Sequence, residues 1–335
     1  MTVVKHIVSM NDGRLERKAR YFLLNHMLVV LLLLLVIVTA VVEPNSLSIG
    51  NITSILRRFG APAFIALGLT FAIITGFIDL SIPGIVNFSA VLAIYLINPL
   101  GQVGALVVVL IFGLAAGMIN GLLIIKSGGT TQAEGLFITF GMSQVWSAAA
   151  MLLSQGKTQQ LRWCDRSYSL FTFLGSYKIG FVPIAMVVFV MVLILLNLLQ
   201  KRTFAGRCMC LVGGNKTVAR LSGIHVDRTI LSAFMICGLM TVIGAVMLVG
   251  RVTTASPTVG SGFDTNAILA VVVGGTSLAG GKGNVFGTML GVFLVILLAN
   301  SMNLLGVSTH MQNVMNGAVL LLAIWADGRK TSQLK

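Results

Sequence analysis

Two carboxylates lie at or near apolar stretches of the chain, where an ionisable side chain usually has a task. Asp79 lies inside the segment 76–84, and Glu134 precedes another apolar run. A charge at the centre of a bilayer is costly, so such a residue faces a partner, a cavity or an interface. With Ser81 and Pro83 nearby, Asp79 is suited to accept backbone N–H bonds at a helix break. Glu134 is suited to cap a helix at the interface rather than to bind a solute. The alternative to these two structural roles is that both acids bind ions in an ion-coupled secondary transporter.

Catalytic and metal-binding constellations are not expected. The spacing Cys208-x-Cys210 could hold a metal ion, but no second pair of Cys or His lies nearby and the four histidines are scattered. Catalysis needs a convergent set of groups, whereas Asp79 and Glu134 are far apart in the chain. We therefore expect no catalytic residue, no cofactor, no metal and no enzymatic activity.

A glycine-rich segment occupies residues 274–283. It has the glycine density of a phosphate loop, but it lacks the Gly-Lys-Ser/Thr ending and no strand pattern precedes it, so ATP binding is not expected. Broken helices beside a cavity offer backbone groups to a polar solute, and close backbone packing explains the glycines equally well. The end of the glycine-rich segment 274–283 resembles the end of the segment 76–81, which indicates an internal repeat. The candidate positions at helix breaks or on a translocation path are Asp79, Ser81, Pro83, Gly84, Gly274, Gly275, Ser277, Gly280 and Gly281.

The composition is that of a polytopic membrane protein. Hydrophobic residues make up 56% of the 335 residues and charged residues only 10%, against about 25% charged in soluble domains. The net charge of +14 would suggest nucleic acid in a soluble protein, but here the positive-inside rule accounts for it. We expect lipid around the chain and no nucleic acid.

The apolar runs predict an all-α fold with about ten transmembrane helices, some of them broken. A segment 1–20 precedes a single membrane domain, 21–326, and a tail, 327–335, follows it. Ten spans with both termini cytoplasmic place 16 of the 23 Lys and Arg residues inside, as the positive-inside rule favours. The predicted spans are 21–42, 61–78, 82–97, 103–125, 135–153, 182–199, 230–249, 265–279, 285–298 and 314–326.

The basic segment 203–228 separates two strongly apolar halves of the chain. Lys and Arg resist translocation, so this segment is expected on the cytoplasmic side. Its Gly-Gly-Asn and Ser-Gly turns predict short helices folded across the membrane surface rather than a loose linker.

The pattern of this segment resembles the cytoplasmic loop of ribose- and galactose-type sugar permeases, the membrane subunits of bacterial ABC importers. The residues that carry the resemblance are Arg202, Thr203, Gly206, Arg207, Gly213, Gly214, Asn215, Ala219, Gly223 and Ile224. The segment 274–283 resembles the G-G-x-S-x-x-G-G-x-G signature of that family. The segment 76–84 resembles its G-I-D-L-S-V-G motif, from which Pro83 departs. Near Glu134 the family's proline is absent and only 137–141 match.

The resemblance covers about residues 45–326 and implies a permease that works as a pair in the cytoplasmic (inner) membrane. It implies inward passage of a monosaccharide or similar small polar solute, delivered by a periplasmic solute-binding protein and driven by separate ATP-binding subunits. The loop, within 200–228, would carry the coupling helices, with an apolar face of Ala219, Leu221 and Ile224 against the ATPase. Its candidate residues are Gly206, Arg207, Gly213, Gly214, Asn215, Ala219, Arg220, Gly223 and Ile224.

Overall fold

The structure, a computed structural model, describes residues 27–128 and 131–332. The predicted segment 1–20, the start of the first span and the last residues of the tail lie outside the described residues. The helices are α1 (Met27–Val42), α2 (Ile49–Ile74), α3 (Ile82–Lys126), α4 (Gln132–Ser154), α5 (Ser169–Ser176), α6 (Ile184–Arg202), α7 (Phe204–Gly214), α8 (Lys216–Leu221), α9 (Val226–Val252), α10 (Phe263–Val273), α11 (Val285–Leu304) and α12 (Thr309–Ser332).

Helix dominates the fold, as predicted, with 79% of the described residues helical. Two short antiparallel ladders lie in the connections between helices. Strand β1 (Gln159–Gln160) pairs with β4 (Thr254–Ala255), and β2 (Lys178–Ile179) pairs with β3 (Val182–Pro183). Each strand is only two residues long, so these ladders fasten loops and build no sheet core.

Six of the described helices are long and apolar enough to cross a membrane. One of them, α3, has 45 residues, which corresponds to about 68 Å, while the bilayer core is about 30 Å thick. The helical path turns at Gly101, whose φ of 73° and ψ of 169° are not helical. The two halves of α3 therefore correspond to the predicted spans 82–97 and 103–125.

Several predicted span boundaries were wrong, among them the start of the second span and the end of the eighth. α2 begins at Ile49, with the Ser48 hydroxyl accepting a bond from the backbone N–H of Asn51, and so includes Arg57 and Arg58. Hydropathy placed its start at residue 61 because it excludes charged residues, although arginines near the end of a span can reach polar surroundings. α10 ends at Val273 rather than at residue 279.

The packing centre consists of α2 and α9, which are buried along most of their length, whereas α4 and α6 keep most side chains exposed. α9 packs against α2 and α3. The glycine stripe on α3, formed by Gly113, Gly117 and Gly121, lies against the backbone or side chains of α9. Small residues let membrane helices approach closely, so this stripe allows α3 to pack tightly on α9.

Candidate functional site

The first break in the helices, residues 75–81, separates α2 from α3 and begins with a tight glycine turn. The N–H of Gly76 donates to the carbonyl of Ile73 at 2.9 Å, and the N–H of Phe77 donates to the carbonyl of Ala72 at 3.2 Å. Gly76 has φ of +88°, the left-handed conformation that glycine adopts without steric cost. This is the Schellman ending of a helix.

The second break, residues 274–284, separates α10 from α11 and begins with the same turn. The N–H of Gly275 donates to the carbonyl of Val272 at 2.9 Å, and that of Thr276 to the carbonyl of Val271 at 3.1 Å. Gly275 has φ of +90°. The matching endings support the internal repeat that the sequence indicated.

The carboxylate of Asp79 closes the first break. Its Oδ1 accepts bonds from the Ser81 backbone N–H at 2.9 Å and from the Ser81 hydroxyl at 2.6 Å. Asn120 of α3 donates to the same hydroxyl at 2.7 Å, and all three side chains are buried. The prediction that Asp79 accepts a backbone N–H is confirmed. That N–H precedes α3, so the carboxylate shapes the break and does not cap the first turn of the helix.

The exit from the first break is fastened to α4. The hydroxyl of Thr139 accepts a bond from the N–H of Leu80 at 3.0 Å, and the hydroxyl of Ser143 accepts one from the N–H of Gly84 at 3.3 Å. Pro83 lies in the first turn of α3, where a missing N–H costs nothing. The break therefore ends at Ser81, and Pro83 and Gly84 belong to the helix, contrary to the predicted break at 79–84.

Glu134 lies at the start of α4 in a capping box. The Thr131 hydroxyl accepts a bond from the N–H of Glu134 at 3.3 Å, and the Glu134 carboxylate accepts one from the N–H of Thr131 at 3.4 Å. Two otherwise unpaired donors of the helix end are satisfied in this way. The prediction of a capping role for Glu134 is confirmed.

The second break is held by amide side chains that sequence reasoning missed. Gln200, at the end of α6, donates to the carbonyl of Gly283 at 2.8 Å and accepts from the N–H of Val285 at 3.1 Å. Gln132 donates to the carbonyl of Leu278 at 3.0 Å. Ser277, predicted as a path residue, forms backbone bonds within the break. A buried glutamine ending an apolar helix was the one available signal for Gln200.

Four glycines from three predicted motifs meet where α7 contacts both breaks, and we call Gly76, Gly213, Gly280 and Gly281 the glycine seam. The N–H of Gly281 donates to the carbonyl of Ile74 at 2.9 Å. A Cβ at residue 213 would collide with that same carbonyl oxygen, and one at residue 280 would meet the backbone of Gly76. Only residues without a side chain permit this approach.

The 200–228 segment folds into the predicted short helices α7 and α8. The hydroxyl of Thr203 accepts from the N–H of Gly206 at 3.2 Å, and the side chain of Asn215 accepts from the N–H of Val218 at 3.0 Å, so both helices are capped. Gly223 has φ of +79°, as expected.

Two expectations for this segment fail. The Gly-Gly-Asn turn predicts a positive φ or a close backbone approach at Gly214, but Gly214 has neither a positive φ nor an atom within 4 Å of a Cβ built on it, so this prediction was wrong. Ala219 is 2% exposed and packs inside the chain, so it does not face a partner. The exposed large apolar side chains here are Phe204, Leu211, Val218 and Leu221, the last being 84% exposed. Ile224 is half-buried.

The charged residues of the segment divide into exposed and buried groups. Arg207 and Arg220 are exposed, and Arg220 lies 3.8 Å from Asp227 in an exposed pair. Lys216 instead places its Nζ 3.9 Å from the ring centre of Phe77 in the first break, a cation–π contact. Burial lowers the pKa of Lys216, and the Glu134 carboxylate acts in the opposite direction. Lys216 thus joins α8 to the first break, a role the sequence did not indicate.

Comparisons with known proteins agree with this arrangement. A family described as "Branched-chain amino acid transport system / permease component" matches residues 51–324. The ribose import permease of Bacillus subtilis (strain 168) is 34% identical over 294 residues, covering 88% of this chain and 89% of that protein. The ribose import permease of Escherichia coli (strain K12) is 32% identical over 294 residues, covering 87% and 89%. The D-allose permease of the same strain is 30% identical over 285 residues, covering 84% of each chain.

No solved structure matches the chain significantly. The matched range includes both breaks and the 200–228 segment. Members of the family are transporter permeases, not enzymes, and an ABC importer in general unites a permease with ATPase and solute-binding partners. The chain therefore belongs to this family of transport permeases, as the permease subunit of an ABC importer in the inner membrane.

Proposed function

We propose that this permease moves a monosaccharide or a similar small polar solute inward, and that ATPase subunits drive it by pressing on the 200–228 segment. It works with a second permease subunit and receives its solute from a periplasmic solute-binding protein. It spans the membrane about ten times with both termini in the cytoplasm. The relatives named for ribose and D-allose import support this solute class.

The observation that carries the proposal is the glycine seam. Gly213 of α7 lies against the carbonyl of Ile74 and the backbone of Gly281, so one helix of the 200–228 segment contacts both breaks directly. Backbone atoms in contact move together because no flexible side chain separates them. A displacement of α7 would therefore shift the ends of α2 and α10, and with them the helices that follow each break.

The same segment presents a surface that suits a partner. Leu211, Val218 and Leu221 are exposed among basic residues on α7 and α8. Apolar side chains outside the hydrocarbon region gain free energy when a partner covers them. A groove on an ATPase subunit would accept such a short helical face.

The variant Leu221→Glu tests the proposal. It places a charge in the proposed contact, which costs about 2–5 kcal/mol when the charge is buried without a partner, while the membrane helices stay unchanged. We expect a folded, inserted permease whose binding of ATPase subunits is weakened at least tens-fold. Co-purification of the ATPase and solute-stimulated ATP hydrolysis measure this.

Leu305→Glu serves as the matched control, because Leu305 is also exposed but follows α11 at the end far from Val285 and the second break. It should leave both measurements unchanged. Normal co-purification and hydrolysis in Leu221→Glu would refute coupling through this surface.

The proposed orientation puts Cys164 outside and Cys208 and Cys210 inside. A membrane-impermeant maleimide added to intact cells should label Cys164 and spare the other two. Burial and the neighbouring Asp165 raise the pKa of the Cys164 thiol, so less reactive thiolate is present at neutral pH and labelling should quicken as the pH rises. Labelling of Leu221→Cys from outside would refute the orientation, since residue 221 is exposed on the proposed inner face.

A further inference from the structure

A cavity of about 420 Å³ opens among α2, α9, α10, α11 and α12. Its apolar wall includes Pro62, Val292 and Ile296, and its polar lining consists of Arg58, Arg251, Asn266 and Asn316. A cavity of this size falls in the range of small-molecule sites, where a few polar groups in an apolar wall fix the orientation of the ligand.

The cavity lies at the end of the bundle far from the glycine seam. Arg58 precedes Ile74, the seam end of α2, by sixteen positions, which corresponds to about 24 Å along the helix. Arg251 lies in the last turn of α9, whose first turn follows the 200–228 segment. In the proposed orientation this is the outer end, where a solute would arrive.

The lining is positive and lacks a counter-charge. Arg58 and Arg251 line the same cavity, and neither forms a salt bridge with an acid of the described chain. None of the described lining residues is acidic. Arg58 is exposed and Arg251 is half-buried, so water screens their mutual repulsion only in part, and an anion between them would relieve what remains.

The amide side of the cavity offers a different contact. Asn316 donates to the side-chain oxygen of Asn266 at 3.2 Å, while its own Oδ1 is buried and has no hydrogen-bond partner. A buried acceptor without a partner is costly. A hydroxyl group of a ligand in the cavity would supply the missing donor.

We propose that this cavity admits an anionic, polyhydroxylated solute of monosaccharide size, a sugar acid or a sugar phosphate, rather than a neutral sugar. Its anionic group lies between Arg58 and Arg251, where planar guanidinium groups can bind carboxylate or phosphate oxygens in pairs. Its hydroxyls face Asn266 and Asn316. This inference rests on the proposed import function and narrows its solute.

The test uses the purified full-length permease and three probes. D-Galactose and D-galacturonate differ only at C6, where a carboxylate replaces a hydroxymethyl group, and D-galactose 6-phosphate carries a phosphate there. The shift of the thermal unfolding midpoint with probe concentration gives an apparent affinity for each. Hydrogen bonds to charged groups correspond to roughly tenfold to a hundredfold in affinity, so D-galacturonate or D-galactose 6-phosphate should bind at least tenfold more tightly than D-galactose. If D-galacturonate binds more tightly than D-galactose 6-phosphate, the solute is a sugar acid; the reverse order identifies a sugar phosphate.

Variants locate the effect. Arg58→Gln and Arg251→Gln should each lower the affinity for the anionic probe about tenfold or more and leave that for D-galactose nearly unchanged. Arg162→Gln, an exposed arginine outside the cavity, should change neither. Should the variants unfold, the salt dependence of the wild type decides: added salt should weaken binding of the anion and spare that of D-galactose.

Equal affinity for the charged and neutral probes, no shift with any probe, or salt-independent binding of the anion would overturn the proposal. Such a result leaves the Leu221→Glu experiment untouched, because coupling to the ATPase does not depend on the charge of the solute. Conversely, a failure of coupling through residue 221 would leave selective binding of the anion standing.

Discussion

The two helix breaks begin alike and are closed by different means. In the first, the carboxylate of Asp79 binds Ser81 within the break, Asn120 adds a bond from α3, and every residue of the segment is buried or half-buried. The second is longer and half-exposed. It is closed by backbone bonds, positive-φ glycines and the side chain of Gln200 reaching in from α6.

This difference separates two ways of building a bend in a membrane helix. A side-chain carboxylate fixes the shape of the first break from within, while Thr139 of α4 fastens its exit. The second break takes its shape from what packs around it, namely α6, α7 and the first break. We therefore expect the first break to be rigid by itself and the second to follow the position of its neighbours.

The largest effect is expected at the seam that joins the two breaks. Gly213→Ala would force its Cβ into the carbonyl of Ile74, and overpacking against backbone cannot relax cheaply, so we expect a loss above about 3 kcal/mol. Folded yield and the thermal unfolding midpoint in detergent measure it. Gly214→Ala is the matched control, since open space surrounds that position. Equal stability of the two variants would show that the breaks do not depend on the seam.

The next largest effect separates charge from shape in the first break. Asp79→Leu leaves the donors of Ser81 without a partner and should cost about 2–3 kcal/mol, seen as less folded protein. Asp79→Asn keeps an acceptor oxygen and should retain most transport. If Asp79→Asn assembled normally but lost transport, the acid would have a role in ion or proton coupling, and the first break would no longer be purely structural.

The second break should respond more mildly and locally. Gln200→Leu removes two hydrogen bonds and should destabilise the break by about 1–2 kcal/mol, visible as faster hydrogen exchange at residues 282–285. Gln132→Leu removes only the bond to the Leu278 carbonyl and should have about half the effect. If Gln200→Leu lowered global stability as much as Asp79→Leu, the two breaks would not differ in the way proposed.

The smallest effect is expected outside both breaks. Arg220 and Asp227 form an exposed pair at 3.8 Å, and exposed pairs contribute about 0.5 kcal/mol or less. Arg220→Gln should therefore leave the unfolding midpoint nearly unchanged at physiological salt. A clear drop in stability would mean that this end of α8 supports the first break as strongly as Lys216 does.

The sequence predicted the local features of the site well. Periodicity and hydropathy located most of the long helices, and glycine with proline chemistry located both breaks, because these signals lie in consecutive residues. Asp79 and Glu134 were assigned their hydrogen-bonding roles for the same reason: each bonds to residues two or three positions away.

Contacts between distant residues could not be predicted. Gly213 and Gly281 are far apart in the chain, and a glycine shows only that space is short, not which atoms fill it. Ala219 was placed with Leu221 and Ile224 on the apolar face that contacts the ATPase, yet the direction in which α8 turns that side chain depends on tertiary packing. Gln200 lies at the end of an apolar helix, and only the folded structure shows that the second break supplies its partners.

The glycine seam has a mechanical consequence. Where helices contact each other through side chains, rotamer changes absorb small displacements. Where backbone packs directly on backbone, the contact can adapt very little. A joint of this kind transmits a small movement almost undiminished. The two helical hairpins, α2 with α3 and α10 with α11, contact each other at the seam. Neither can tilt there without displacing the other.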